Sequence, residues 1–409
     1  MKNWITLGVM LCCASALAQK NQIPRFNDTT RLDAIEVLSI RAAAKDPFAK
    51  TNMSKKEIAL QNLGQDIPFL VNLTPSVVIN SDAGNGIGYT GIRVRGTDAT
   101  RINFTLNGIP YNDAESQGTF LVNLPDFASS VSSIQIQRGV GTSTNGTGAF
   151  GATINMATNE VNEKFYAELN NSFGSFNTWK NTFKVGSGLI GKHFTIDARL
   201  SNISSDGYIE RASSDLKAYY VSTAWMDNKN SFRLNVFSGK EKTYQAWNGV
   251  SEAMLAINRR FNVSGTEKPG TPYENETDNY KQTHYQFFFN RNWSRYWKSN
   301  VTLFYTKGAG YYENYKADEE LARYGLPDID AGGNLVTSTD LIRQLWLDND
   351  FYGTVMSVQH ENGGTKFTAG ANWNNYDGLH FGRVIWTKVV NAAPPGYEWY
   401  NPAANKKDV

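Results

Sequence analysis

Residues 165–201 read FYAELNNSFGSFNTWKNTFKVGSGLIGKHFTIDARLS. Apolar and polar side chains alternate here with a period of two. In 165–173, Phe165, Ala167, Leu169 and Phe173 share one face and Tyr166, Glu168, Asn170 and Ser172 the other. In 179–189, Trp179, Phe183, Val185 and Leu189 oppose Lys180, Thr182 and Lys184; in 194–201, Phe194, Ile196, Ala198 and Leu200 oppose Thr195, Asp197, Arg199 and Ser201. A period of two is the signature of a strand with unlike faces. The same grammar returns at 216–226, 231–238, 281–291, 298–306, 351–360 and 365–375, giving nine strands. A polar face that persists through them suits a sandwich with one wet side or a barrel with a wet lumen.

The links between strands separate these two. Beyond a short first loop (GSFN), long and short connections alternate. Excursions at 239–280 and 307–350 contrast with turns at 227–230, 292–297 and 361–364. Long structureless loops are unusual in compact soluble domains, whereas an outer-membrane barrel has short turns at one rim and long loops at the other. Tyr208, Trp225, Trp293, Tyr296, Trp297, Trp373 and Tyr376 fall at strand ends, where interfacial aromatics are expected.

The preceding residues follow other rules. Ser54 and Glu57 form a capping box for a helix that Gly64 ends, and Asp66 with Pro68 opens a second helical piece before Pro75. From 76 to 158 short strands alternate with glycine turns: SVVIN, GIRVRG, RINFTLNGIP, SSIQIQRG and GATINMAT. This is a compact α+β unit of ordinary domain size. At the start, Lys2, an apolar run and Ala16-Leu17-Ala18 make residues 1–18 an export signal. Cys12 and Cys13 lie within it, so the mature chain is expected to lack thiol chemistry and disulfides.

Forty basic and 38 acidic side chains among 409 residues leave +2, with no global field for nucleic acid. No later stretch has the ~18 apolar residues of a spanning helix. Gly146, Gly148 and Gly151 match a dinucleotide fingerprint, but a strand pattern (Ala152, Ile154, Met156) follows where a helix is required. His193, His284, His360 and His380 lack metal-ligand spacing, and no catalytic elbow or zinc helix occurs. No enzyme, metal or cofactor is expected.

Two motifs carry a family resemblance. GIRVRGTDATRINFTLNGIPY (91–111) and IQIQRGVGTSTNGTGAFGATINMAT (134–158) resemble the plug-domain motifs of TonB-dependent outer-membrane receptors. Asn107, Phe150 and Ala152 depart from that pattern. The resemblance implies a mainly β protein: an α+β plug over 54–160, followed from 161 to 409 by part of a transmembrane antiparallel barrel. About nine of ~22 strands are accounted for, so a longer barrel is expected. Residues 19–53 become a periplasmic segment with a TonB box at 34–39 (Ala34, Ile35, Glu36, Val37, Leu38, Ser39).

The resemblance further implies energised uptake across the bacterial outer membrane, driven by TonB with its ExbB/ExbD energy complex. The expected ligand is a ferric siderophore or ferric-citrate-like chelate; cobalamin, haem and oligosaccharide stay open. A passive porin or adhesin is the rival class, and a secreted carbohydrate-active enzyme lacks paired carboxylates. Arg93, Arg95, Arg101 and Arg138 are expected to lock the plug to acidic groups on the wall. Tyr89, Tyr111, Asn112, Tyr244, Trp247, Tyr311 and Tyr312, with the plug turns at 82–90 and 112–119, are the expected ligand contacts. The remaining partner is outer-membrane lipid, with no nucleic acid.

Overall fold

The computed structural model describes residues 41–42, 46–142, 150–330, 332–389, 392–394 and 396–399. The export signal at 1–18 and the segment 34–39 lie outside the described residues.

The capping box forms: Ser54 accepts from the Glu57 backbone and Glu57 from the Ser54 backbone, starting a helix over Lys55–Gln61. It stops at Gln61, short of Gly64, because Asn62 caps it. The second helix, Ile67–Leu70, begins at Asp66 with Pro68 in its first turn. Besides three 3-10 turns (Ala99–Arg101, Leu121–Asn123 and Phe127–Ser130), this region has seven strands: β1 (Lys50–Ser54), β2 (Val77–Ser81), β3 (Thr90–Val94), β4 (Ile102–Leu106), β5 (Ile109–Pro110), β6 (Ser133–Arg138) and β7 (Ala152–Ala157). Five form a mixed sheet in the order β1-β6-β7-β4-β5, with β4 and β7 parallel. Ile102, Phe104, Leu106, Ile134, Ile136, Ile154 and Met156 put one face into a core with Ile58, Leu70 and Phe127. That core continues into Tyr220 and Phe237, which belong to the second region.

The second region is one antiparallel sheet of ten strands. Its long members are β8 (Tyr166–Gly174), β9 (Thr178–Gly186), β10 (Phe194–Ser205), β11 (Ser214–Met226), β12 (Asn230–Tyr244), β13 (Thr277–Asn292) and β14 (Trp297–Glu320). After the small hairpin β15 (Ile329–Asp330) and β16 (Leu335–Val336) come β17 (Ser338–Asn362) and β18 (Thr365–Thr387), with the two-residue β19 (Tyr397–Glu398) at the edge. All nine expected strands are present and pair with their sequence neighbours, except that β14 pairs across the small hairpin with β17. The excursion expected at 307–350 is a correction. Its flanks continue β14 and β17 in register from Lys307↔Asp350 to Tyr315↔Ile342, so only the hairpin end leaves the sheet. Leu189 is also corrected: β9 ends at Gly186, and Leu189 lies in the following turn.

Burial separates the two architectures left open by the alternation. The polar face is the hidden one: Lys180, Thr182, Arg199, Ser201, Asn235, Gln286 and Thr302 are all buried against the first region or the sheet's own interior. The apolar face is exposed, with Leu200 at 61%, Leu234 at 43% and Leu303 at 50%. A sandwich in water would hide the opposite face. Exposed apolar positions are stable only where the surroundings are hydrocarbon, so the sheet is a lipid-facing wall with a polar lumen. On β12 the outward series runs Phe232, Leu234, Val236, Ser238 and then Lys240. Eight residues at ~3.3 Å rise, tilted ~40°, span roughly 20 Å, close to the apolar band of such barrels.

Outward aromatics ring the short-turn rim. Phe194, Trp225, Phe232 and Phe289 are successive register partners across β10–β13. Phe232 lies 5.8 Å from Trp225 and 4.9 Å from Phe289. Trp293 and Trp297 extend the belt at the next turn. Two expected members are corrected. Tyr376 is buried and donates to Glu115 (2.9 Å), because its position on β18 faces inward. Tyr208 sits in the loop after β10, packed against Phe176 and Arg260. No helix among the described residues is long and apolar enough to cross a membrane.

An arginine in place of Leu234 puts a charge in the middle of this band and costs about 2–4 kcal/mol. The expected result is a reduced fraction of heat-modifiable, folded protein on electrophoresis, whereas Lys240→Arg above the band leaves that fraction unchanged.

Candidate functional site: the plug, its lock and the cavity above it

The segment 121–125 lies against the wall at Gly239. A Cβ there would come within 2.2 Å of the Asn123 carbonyl oxygen, so only glycine admits the approach. Immediately after it, Asp126 takes a left-handed backbone conformation (φ +51°), which aspartate tolerates better than most residues. Its carboxylate is thereby aimed at the lumen face of β9 and β10. It meets Lys180 Nζ at 2.9 Å and accepts from Thr182 (2.6 Å) and Ser201 (2.7 Å) on the wall. Ser129 (2.6 Å) and Asn62 (3.3 Å) donate from its own region, and the Arg199 guanidinium donates to the Asp126 backbone carbonyl. Burial alone would raise this carboxyl, but Arg199, Lys180 and the hydroxyls outweigh it and hold it at about 2.

Further contacts carry the fit around this point. Asn107 donates to Gln286 on β13 (3.0 Å) and to Thr158 (3.0 Å), and accepts from the Thr158 backbone (2.8 Å). An amide can both donate and accept, which a carboxylate cannot, and this accounts for asparagine opposite a neutral glutamine. Tyr220 donates to Thr158 (2.9 Å) and Asn235 to Asn159 (3.0 Å).

The expected lock is therefore corrected. Arg93 and Arg95 are exposed, Arg101 pairs with its neighbour Asp98 (3.3 Å), and Arg138 donates to the Pro75 carbonyl (3.3 Å). None of the four meets a wall carboxylate among the described residues. The polarity is the reverse of the expectation: the anion sits on the plug and the cations on the wall. Sequence reasoning missed Asp126 because an aspartate after proline reads as a turn residue, and its partners lie 54 and 73 positions away.

At the long-loop end, a cavity of about 670 Å³ opens between the plug and β12–β18. Its lining includes Tyr89, Tyr111, Trp247, Tyr311 and Tyr312, five of the seven expected contacts. The other two serve as braces. Asn112 ties its own turn, accepting from the Phe104 backbone and donating to Ile102 and Gln117 carbonyls. Tyr244 is buried, donating to the Tyr273 carbonyl (2.6 Å). Trp247, from the loop after β12, stands edge-on to Tyr89 (5.5 Å) and to Tyr312 (6.0 Å), so one ring joins plug, loop and wall. Tyr89 also donates to Asp278 on β13. On the wall, Tyr280 lies across Gly308 and donates to Asn349 (2.6 Å).

The charges of the lining are one-sided. Asp82, Asp113, Glu241 and Asp278 line it together with His380, and among the described residues the lining contains no lysine or arginine. His380 already faces Glu115 at 2.9 Å. One oxygen of buried Glu241 accepts no hydrogen bond among the described residues, and burial pushes the Asp82 carboxyl up to about 6. Such a site attracts cations and donor-rich groups and disfavours free carboxylates. Among the described residues no cluster of His, Cys, Asp and Glu could hold a metal ion.

Residues 42–153 match the family model of the TonB-dependent receptor plug domain. No curated protein matches the chain. Among solved structures, the unliganded ferric citrate transporter FecA is similar at 14% identity and TM-score 0.62, covering 89% of this chain and 51% of its own. The Pseudomonas aeruginosa receptor FpvA, bound to a heterologous ferric pyoverdine, has 12% identity and TM-score 0.59, with 89% and 48% covered. BauA, the ferric preacinetobactin receptor of Acinetobacter baumannii, has 15% identity and TM-score 0.59, with 89% and 51% covered. The chain spans about half the length of these structures. Its first region is a TonB-dependent receptor plug domain, and its wall has the fold of part of such a receptor's outer-membrane barrel.

Asp126→Ala leaves Lys180 and Arg199 buried without their anion, an expected loss of about 3–5 kcal/mol. Arg101→Ala, at an exposed pair, should leave stability nearly unchanged; denaturant unfolding in detergent micelles compares the two. Because the folded carboxyl titrates below its ordinary range, its contribution is complete above about pH 4 and is lost as pH falls through about 2. Acid unfolding of the parent should show a step in that window that Asp126→Ala lacks.

Proposed function

We propose that the protein is a TonB-coupled receptor that takes up a scarce, bulky ligand across the outer membrane, and that the cavity above the plug is where the ligand binds. The observation that carries this reading is the coincidence of an occluding plug, held by a polar lock, with an aromatic cavity on its long-loop side. A passive porin needs an open lumen, and an adhesin needs neither plug nor cavity.

Coupling follows from how the plug is attached. The 34–39 segment pairs with TonB by strand addition, which uses main-chain bonds and tolerates varied side chains. A pull there passes to Ala42, whose N–H and C=O are both held by the Gln135 side-chain amide (2.8 and 3.0 Å). The next element is β1, an edge strand with a five-residue register on β6. Edge strands under tension give way before a central sheet does. Polar contacts at the wall, unlike an apolar seam, exchange readily with water once the plug begins to move.

Within ferric chelates, a lining whose titratable groups are mainly acidic favours a ligand whose inward face is neutral or cationic and rich in donors. A ferric-citrate-like polycarboxylate is the least compatible of the expected ligands. Trp247, Tyr89 and Tyr312 supply flat surfaces for its apolar parts and for cation–π contact.

Deleting residues 34–39 should leave ligand binding intact and abolish energised uptake; undiminished uptake of a radiolabelled ferric chelate excludes the coupling role. For ligand class, tryptophan quenching should report at least about tenfold tighter binding of a cationic ferric hydroxamate than of ferric dicitrate, a gap of ~1.4 kcal/mol. The cationic ligand should weaken as pH falls through about 6 and Asp82 loses its charge. Tighter binding of dicitrate would contradict the assignment.

A further inference from the structure

Glu241 stands where the plug meets the wall, at the floor of the cavity. It follows Gly239 by two positions on the inward face of β12, about 7 Å above the point where the Asn123 carbonyl touches the wall. Its register partner on β13 is Tyr280, and the next inward residue, Thr243, is paired with Asp278. The plug returns to the wall at this level. A Cβ on Gly88 would lie 2.8 Å from Ser214 Oγ and 3.7 Å from Thr243 Cγ2, and the adjoining Tyr89 donates to Asp278. Glu241 is therefore bracketed along β12 by two plug contacts, Asn123 below and Gly88 with Tyr89 above.

Three oxygens in this bracket have no hydrogen-bond partner among the described residues: Glu241 Oε2, Thr243 Oγ1 and Asn123 Oδ1. Their residues are only 1%, 3% and 8% exposed. Buried polar atoms are seldom orphaned, and a buried carboxylate without a counter-charge is costly. The neighbours give no relief. Among the described residues the lining has no lysine or arginine, and Asp278, already engaged by Tyr89, adds charge of the same sign. A water molecule brings two donors and no charge. No cluster of His, Cys, Asp and Glu among the described residues could hold a metal ion. A primary ammonium suits the three oxygens best, because it is compact, cationic, and carries three donors and no acceptor.

We propose that Glu241, Thr243 and Asn123 form a subsite for a primary ammonium group carried by the ligand, with Glu241 as its specificity-determining residue. This rests on the reading of the cavity as the ligand site. Each oxygen accepts one N–H, Glu241 supplies the counter-charge, and the aromatic lining at Tyr89 and Tyr280 receives the alkyl stem. The selection is narrower than the general acidity of the cavity, since a cation without N–H donors leaves the same oxygens unpaired.

The test uses the full-length protein in detergent micelles and the variants Glu241→Gln and Thr243→Val. The probes are n-butylammonium, n-butyltrimethylammonium, N-butylacetamide and calcium chloride, each titrated at constant ionic strength against the melting temperature. n-Butylammonium should raise the parent's melting temperature saturably, with an apparent affinity at least about tenfold weaker in Glu241→Gln and about threefold weaker in Thr243→Val. The quaternary amine has the charge without donors and the amide a donor without charge, so neither should stabilise the parent. Without a probe Glu241→Gln should melt at or above the parent temperature, because a buried uncompensated charge is gone; this separates lost binding from lost folding. The proposal is overturned by no shift with n-butylammonium, by an equal shift in Glu241→Gln, by an equal shift with the quaternary amine, or by a calcium shift that Glu241→Gln abolishes. These probes contain no chelate, so such a failure leaves the uptake reading to the chelate and deletion experiments, and a failure there leaves the subsite result in place.

Discussion

A wall that turns its polar side inward cannot be left with its cations unpaired, and the rest of this structure answers to that constraint. Lys180 and Arg199 stand buried on the lumen face, where an isolated charge would be prohibitively costly. Asp126 meets both, one through its carboxylate and the other through its carbonyl. To get there the plug backbone must pass Gly239 and adopt a left-handed turn, so a local strain, a missing side chain and a buried ion pair are parts of one contact. Apolar contact reaches the wall through Tyr220 and Phe237 and through two smaller clusters, Ile87 and Val122 with Ile203 and Leu216, and Ile109 with Phe288 and Phe304, but such contact is non-directional. Register between plug and wall is set by polar groups that have one good arrangement.

The same chemistry suits a stopper that has to move. Buried polar contacts give specificity of fit but little net stability compared with an apolar seam. The plug is held in one place, yet leaving it exposes groups that water can satisfy. At the opposite end Trp247 touches both Tyr89 of the plug and Tyr312 of the wall, so an occupant of the cavity acts on both bodies at once. Under the proposed function, the acidic lining would tie ligand choice to charge, a property absent from the fold and specific to Asp82, Asp113, Glu241 and Asp278.

Much of the fold was legible because it rests on local rules. A period of two fixes which side chains share a face, and the assignments for Phe183, Leu200, Thr182 and Arg199 hold residue by residue. The capping box at Ser54 and Glu57 is equally local. What the sequence concealed is long-range. Alternation alone leaves open which face is buried, since that depends on what the sheet encloses. The flanks of 307–350 read as loop because Tyr, Asn, Asp and Gly dominate strands that extend beyond the apolar band, where neither face needs to be greasy. The lock was sought among arginines near the plug motifs, but its cations belong to strands and its anion to a turn. Five of the aromatics expected as contacts line the cavity, and they stood out because large rings in outer loops and plug apices are conspicuous; the four acidic residues beside them resemble any solvated surface charge.

The orientation of the wall is open to direct measurement. Spin labels placed one at a time along β12, from Phe232 to Glu241, can be probed in membranes for collision with dissolved oxygen and with a water-soluble nickel chelate. Labels at Leu234 and Val236 should collide freely with oxygen and hardly with nickel, while those at Arg233 and Asn235 should be shielded from both. Nickel access to the even-numbered positions, with oxygen contact at the odd ones, would contradict the account.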